Sequence, residues 1–199
     1  MTVVVESVTD PDSVLDELMP ELEQAMIGFY GEPDPNDPFA LMSSANPEYF
    51  VLPRGRLWTV KVDGVLAGMS GWTDLSQLKG PNPFADLKVA ELKRLFVRPQ
   101  FQGLGLARKL DEYRLNDIFM NGYDLAVGEA GQPQRVSCQM HTVAPYFEVE
   151  PFGEYFGNDE SVFFGCTPRS WQAWAGMRLE DMKQQRLRKQ SVPGNRCER

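Results

Sequence analysis

Glu91-Leu-Lys-Arg-Leu-Phe-Val97, then Arg-Pro, then Gln-Phe-Gln102-Gly-Leu-Gly105-Leu-Ala107-Arg108 form a run whose residue types suit two kinds of chemistry. The first is anion binding. A strand-forming stretch ends near Val97 and is stopped by Pro99, and a helix-forming stretch begins just after Gly105. Gly103, Gly105 and Ala107 remove side-chain bulk at that junction. The first N–H groups of a helix have no intrahelical partner, and the helix dipole favours negative charge beside them. A pyrophosphate suits such a seat. The dinucleotide fingerprint is excluded because Arg108 stands where its third small residue belongs, and a P-loop is excluded because Gly-Lys-Ser/Thr is missing.

The second chemistry is proton transfer. Glu91 is a carboxylate inside an otherwise apolar strand, and strand alternation places it with Lys93, Leu95 and Val97 on one face. Partial burial would raise its pKa toward that of a working general base. An ordinary pairing with Lys93 or Arg94 is the competing reading. Glu129, near the end of the next strand, is the second candidate base. His141 is the single histidine, and a lone histidine does not build a zinc site. No metal is therefore expected. Cys138, Cys166 and Cys197 sit in no recognisable motif; widely spaced and odd in number, they point to a reducing cytoplasm.

The stretch Ala90-Glu-Leu-Lys-Arg-Leu-Phe-Val97 followed by Gln102-Gly-Leu-Gly-Leu-Ala107 resembles the GNAT superfamily of acyl-CoA N-acyltransferases. The likeness is strong over 91–110 and fainter over 58–164. It implies acetyl-CoA as acyl donor and direct attack by an amine on the thioester, with no covalent enzyme intermediate. It also implies that the pantetheine arm pairs with the backbone of Leu95, Phe96 and Val97. The pyrophosphate would then lie on Gln102, Gly103, Leu104, Gly105, Leu106 and Ala107, with Arg108 adding charge. His141 falls near a family position that contacts the CoA arm, although a structural role is equally compatible with it. The family's general acid is a Tyr just before a Gly-Phe pair. Here the counterpart is Ala144-Pro-Tyr-Phe-Glu-Val-Glu-Pro-Phe152, so the role falls on Tyr146 or on Phe147, depending on one inserted residue. Tyr146 is the favoured acid. The resemblance implies an N-acetyltransferase acting on a primary amine, a small cationic or amino-acid-like acceptor. A protein lysine or N-terminal acetyltransferase, and a CoA-binding regulatory domain without turnover, are the alternatives.

Elements must position these groups. Thr2 to Val8 reads as a strand, and Asp10-Pro11 as the start of a helix carrying Leu15, Leu18, Leu22 and Met26, with Pro20 as a kink or break. A short helix is expected over 38–44. Asp63-Gly64 between two apolar runs is a hairpin signal. A strand over 89–97, a helix over 104–121 and a strand over 123–129 form a crossover, which makes that strand pair parallel. A further helix is expected over 142–149, a closing hairpin from 154–156 and 161–166, and a last helix capped by Ser170 with Trp171, Ala175, Leu179 and Met182 on one face. The fold class is α+β: a mixed, mostly antiparallel sheet with a parallel β-α-β centre, helices on both faces and an extra C-terminal helix. Residues 1–168 would be the GNAT domain and 169–199 a helical extension with a basic, flexible tail, a homodimer being the favoured arrangement.

The 199 residues suit one substantial core. No apolar run is long enough to span a membrane, and the N-terminus has no secretory pattern. The net charge is −8. The segment from Arg169 contributes +5, leaving −13 for residues 1–168. That acidity argues against nucleic-acid binding and suits a cationic acceptor. Phe29, Tyr30, Phe39, Tyr49 and Trp72 are candidate linings for its pocket, with Glu32, Asp34 and Asp37 nearby.

Overall fold

A computed structural model describes residues 1–32, 46–77, 80–143 and 145–177. The strands are β1 (Val3–Ser7), β2 (Gly55–Val62), β3 (Val65–Asp74), β4 (Val89–Val97), β5 (Leu125–Gly131), β6 (Phe147–Glu148) and β7 (Ser161–Cys166). The helices are α1 (Pro11–Tyr30), α2 (Leu106–Met120), α3 (Arg135–His141) and a fourth, α4, over 168–177. The strands form one sheet in the order β1-β2-β3-β4-β5-β7-β6. Every neighbouring pair is antiparallel except β4–β5. The α+β architecture inferred from the sequence is therefore the one observed.

Asp63 and Gly64 both take positive φ, 47° and 84°, which is what a tight hairpin between right-twisted strands requires. α1 is one continuous helix with Pro20 inside it, rather than the kinked or divided element expected. Pro20 is exposed, so its missing N–H falls on the solvent side. Leu15, Leu18 and Leu22 hold the buried side against Phe50, Leu57, Met69 and Phe96. That continuous apolar stripe holds the helix together on both sides of the proline. The expected helix over 38–44 lies outside the described residues.

α2 packs on the opposite face. Leu106 and Leu110 meet Val60, Val62, Ala67 and Val97. Leu115 and Ile118 meet Trp72, Ala90, Leu92 and Ala126. β4 contributes to both faces through an irregularity. Its register against β3 shifts between Met69 and Gly71, and Arg94 takes φ +58°. This is a bulge: one extra residue reverses the alternation beyond it. Ala90 and Leu92 face α2, and past the bulge Leu95 and Val97 also face α2, while Phe96 turns to α1. Glu91 and Lys93 thus do not share a face with Leu95 and Val97, contrary to simple alternation.

The C-terminal half departs further from expectation. Helix α3 comes earlier than expected, and Phe147–Glu148 is a short strand paired with β7 where a helix over 142–149 was inferred. Residues Gly153–Tyr155 form a 3₁₀ turn, so the hairpin partner of β7 is β6. In α4 the cap is Thr167, not Ser170. The Ser170 N–H donates to Thr167 Oγ1 at 3.2 Å, and the Thr167 N–H donates to Ser170 Oγ at 3.0 Å. This reciprocal pair is a capping box in which a serine takes the usual place of Glu or Gln. Trp171 is buried in the core beside α2, and its indole N–H donates to Asn116 Oδ1 at 2.8 Å. The described part of the extension is therefore docked on its own chain. Leu179, Met182 and the basic tail lie outside the described residues.

Candidate active site

The candidate phosphate seat is the turn between β4 and α2. Gly103 and Gly105 take φ +78° and +74°, a left-handed conformation that glycine adopts without the usual steric cost. A Cβ at either would meet nothing within 4 Å, so backbone conformation, not crowding, demands glycine there. The first backbone bond into α2 runs from the Lys109 N–H to the Gly105 carbonyl at 3.1 Å. The N–H groups of Leu106, Ala107 and Arg108 are left without an intrahelical acceptor. Gln102 folds back and donates from Nε2 to the Val97 carbonyl at 3.0 Å, tying the turn to the end of β4. Arg108 lies differently from expectation. Its guanidinium sits 5.4 Å from the ring centre of Trp174 and 3.9 Å from Asp111, so it is turned back along α2 rather than out over the turn.

β4 and β5 stay paired for only three positions, Val89 with Leu125, Ala90 with Ala126 and Glu91 with Val127. Beyond these β5 continues with β7 and β4 with β3, and the two strands part. The bulge at Arg94 bends β4 just where they separate. Leu95, Phe96 and Val97 thus lie on a stretch of β4 with no strand on its β5 side, and that stretch leads directly into the glycine turn.

Glu91 sits at the apex of this opening. It is 2% exposed and lies 2.9 Å from Lys93 Nζ through Oε1. Burial lifts its pKa, and Lys93 opposes that rise. Lys93 is itself 8% exposed. Burial disfavours its ammonium, but the Glu91 carboxylate favours it, and the Lys93 pKa is raised rather than lowered. Glu154 reaches Lys93 Nζ at 3.6 Å, and the Tyr155 ring centre is 5.5 Å away. Glu129, on β5, accepts from Ser161 Oγ at 2.6 Å. Its pKa is raised by burial and by the charge of Glu91, with Ser161 acting against the rise. The two candidate bases therefore belong to one cluster of interacting charges.

Tyr146 has a different partner from the one its expected role needs. Its hydroxyl lies 2.7 Å from both carboxylate oxygens of Asp111 and donates to that carboxylate. Asp111 is also held by Arg114, through Nε at 2.8 Å and Nη2 at 2.7 Å. Burial, with Asp111 next, pushes the Tyr146 phenol well above its ordinary pKa. Phe147 is exposed on the edge strand. His141 completes the network. Nδ1 lies 2.8 Å from the Ser137 carbonyl and so carries the proton, an assignment made from the hydrogen bond. Nε2 faces Arg114 at 3.5 Å, and the ring stacks on Phe164 at 4.0 Å. Burial lowers its pKa to about 4. His141 is thus a neutral, buried residue with both ring nitrogens engaged.

Trp72 is fully buried and donates to Asp117 at 2.7 Å, which removes it from any pocket lining. Tyr49 lines a separate open depression of about 550 Å³ with Asp74, Lys88 and Tyr123, at the N-terminal end of β4 and opposite the glycine turn. Phe29 and Tyr30 are half-exposed, and Tyr30 accepts from Gln134 beside Gly131 at the end of β5. Asp34, Asp37 and Phe39 lie outside the described residues. Asp111, Arg114, Glu154 and Tyr155 were missed by sequence reasoning. A signal existed for the first two, because both fall inside the stripe set by Leu110, Leu115 and Ile118, where a charge is anomalous.

The model of the Acetyltransferase (GNAT) family matches residues 15–135. The chain belongs to this family. Solved structures share the GNAT fold at low identity. One is an acetyltransferase of the GNAT family from Staphylococcus aureus Mu50, at 14% identity and TM-score 0.60, covering 83% of this chain and 99% of that one. Another is the N-acyl amino acid synthase FeeM from uncultured soil microbes, at 10% identity and TM-score 0.58, covering 86% and 94%. A third is a spermidine N-acetyltransferase from Vibrio cholerae in complex with CoA and spermine, at 14% identity and TM-score 0.56, covering 85% and 98%. No curated protein sequence matches. This GNAT protein is accordingly an acyltransferase of the acyl-CoA-dependent kind. Among the described residues no group of His, Cys, Asp or Glu could hold a metal, and no helix is long and apolar enough to cross a membrane.

Proposed function

We propose that this GNAT protein transfers an acetyl group from acetyl-CoA to a small cationic primary amine. One observation carries the reading. The β4–β5 opening joins a turn of unpaired N–H groups at one end to two carboxylates at the other, the buried Glu91 and the partly buried Glu129. In this reading the pyrophosphate occupies the turn from Gln102 to Arg108, and the pantetheine arm lies along Leu95, Phe96 and Val97. Glu91 takes the proton of the acceptor ammonium, directly or through a water, and Glu129 is the alternative base. The freed amine attacks the thioester carbonyl, the C–N bond forms, and the C–S bond breaks to release CoA thiolate. Tyr146 is the candidate acid by family position. Its bond to Asp111 instead favours a positioning role, with solvent protonating the thiolate. The charge of −13 on residues 1–168 and the acids around Lys93 favour a cationic acceptor.

The test is thiol release from acetyl-CoA with diamines, polyamines, amino acids, amino-acid amides and lysine-bearing peptides. Turnover on small amines supports the proposal. Turnover only on peptides transfers it to protein acetylation. Tight acetyl-CoA binding with no turnover on any acceptor favours a regulatory CoA-binding role, the reading that the occupied Tyr146 hydroxyl supports. Glu91→Gln should lower turnover by about 10²-fold while leaving acetyl-CoA affinity intact.

A further inference from the structure

Glu91 has a companion that the reaction above does not use. Lys93 lies two positions along β4 on the same face and meets Oε1 at 2.9 Å. Both side chains are nearly sealed from solvent. The second oxygen, Oε2, is buried and has no hydrogen-bond partner among the described residues, and Lys93 Nζ meets Oε1 as a close ion pair rather than in hydrogen-bond geometry. A buried ion pair is not a strong source of stability, since well-packed apolar residues of similar volume often do as well or better. A carboxylate that is to act as a base in a water-poor site has two needs that Lys93 answers. It must be ionised, and it must present one oxygen in a fixed direction. We propose, on the reading that Glu91 is the base, that Lys93 is a positioning residue: its ammonium holds the Glu91 carboxylate as an oriented anion, with Oε1 engaged and Oε2 free to take the acceptor's proton.

Every charged group facing Glu91 bears on this. Lys93 and Arg94 on β4 favour the anion, with Lys93 the stronger. Glu154, from the 3₁₀ turn before β7, and Glu129 on β5 disfavour it. Tyr155, from the same turn, has its phenol pushed up to about 12, chiefly by burial, and is neutral at working pH. From β3 the residue across from Glu91 is Thr73, which is uncharged. Lys93 is therefore the dominant cation balancing burial and two carboxylates.

Lys93→Met, Lys93→Arg and Glu91→Gln decide the matter together. The Glu91 carboxyl carbon is titrated by ¹³C NMR in the free protein, its signal assigned by loss in Glu91→Gln. The pH dependence of kcat/KM is followed with the amine that releases thiol fastest in the panel above. In Lys93→Met the Glu91 midpoint and the acid limb of kcat/KM should move up together by about 1–3 pH units, the effect of removing an opposite charge at this distance. Activity should return at high pH, acetyl-CoA affinity should hold, and Lys93→Arg should restore the wild-type limb. If Lys93→Met does not fold, Lys93→Gln removes the same charge and should give the same shift. A folded variant whose acid limb stays in place, whatever its stability, overturns the proposal. Wild-type turnover in Glu91→Gln would instead remove Glu91 from the mechanism, a result read without any Lys93 variant.

Discussion

Replacing Tyr146 by Phe separates a positioning residue from a general acid. The substitution removes one hydroxyl and leaves the ring, which packs edge-on against His141 at 4.9 Å and Phe164 at 5.3 Å. What is lost is a buried hydrogen bond to a charged acceptor, with both Asp111 oxygens 2.7 Å from the hydroxyl. Such a bond contributes about 1.5–3 kcal/mol. Arg114 still holds Asp111, so the carboxylate is not abandoned and the loss should stay within that range. For a domain of this size each kcal/mol moves Tm by about 2–4 °C, giving an expected fall of about 3–12 °C. Activity should respond differently. A phenol whose proton is shared with a carboxylate must break that bond before it can protonate a thiolate. In folded protein kcat should therefore stay within about threefold of wild type, with the basic limb of the pH–rate profile unmoved. Differential scanning calorimetry gives the first quantity and thiol-release kinetics the second. A fall in kcat of about 10²-fold, the usual scale for loss of a general acid, with Tm unchanged, would refute the positioning role and make Tyr146 the acid.

Three further outcomes follow from other parts of the molecule. Gly105→Glu should abolish acetyl-CoA binding measured by calorimetry, because it places a carboxylate in the anion seat. Gly105→Ala isolates the backbone cost of φ +74°, about 1–2 kcal/mol; unchanged affinity in folded Gly105→Glu would dismiss the phosphate seat. His141 binds its proton less readily in the folded state, at about pH 4, than in the unfolded chain, whose pKa is about 6.5. The stability it contributes is therefore complete above pH 6.5 and is lost as pH falls toward 4, by about 3 kcal/mol. Urea titrations across this window should show that slope in the wild type and a flatter one in His141→Gln; parallel slopes would contradict the assignment. Trp171→Ala should cost about 3–5 kcal/mol, since it empties a core position and removes the bond to Asn116. A Tm within a degree or two of wild type would show that α4 contributes little to the core.

Much of this protein was legible without coordinates because the signals were local. The glycine turn depends on backbone freedom at Gly103 and Gly105, and both residues are where a helix must start. The Asp63-Gly64 hairpin and the β4–α2–β5 crossover follow from turn chemistry and connection length, which act over a few residues. The family pattern at Gln102–Ala107 lies in the same short window, so the donor chemistry was readable from it. The tertiary structure decided what depends on partners distant in the chain. A single residue at Arg94 in the left-handed region reversed the facing of everything after it in β4, and no alternation rule could place that bulge. Asp111 and Tyr146 are 35 positions apart, and their hydrogen bond exists only because α2 and the chain after α3 pack on the same face of the sheet. Lys93 could be paired with Glu91 by spacing, but the burial that makes the pair consequential comes from Glu154, Tyr155 and the neighbouring strands closing over it. Short-range sequence patterns report conformational preference. Whether a charge is a solvated side chain or a tuned group is set by the dielectric and partners around it, and those exist only once the chain has folded.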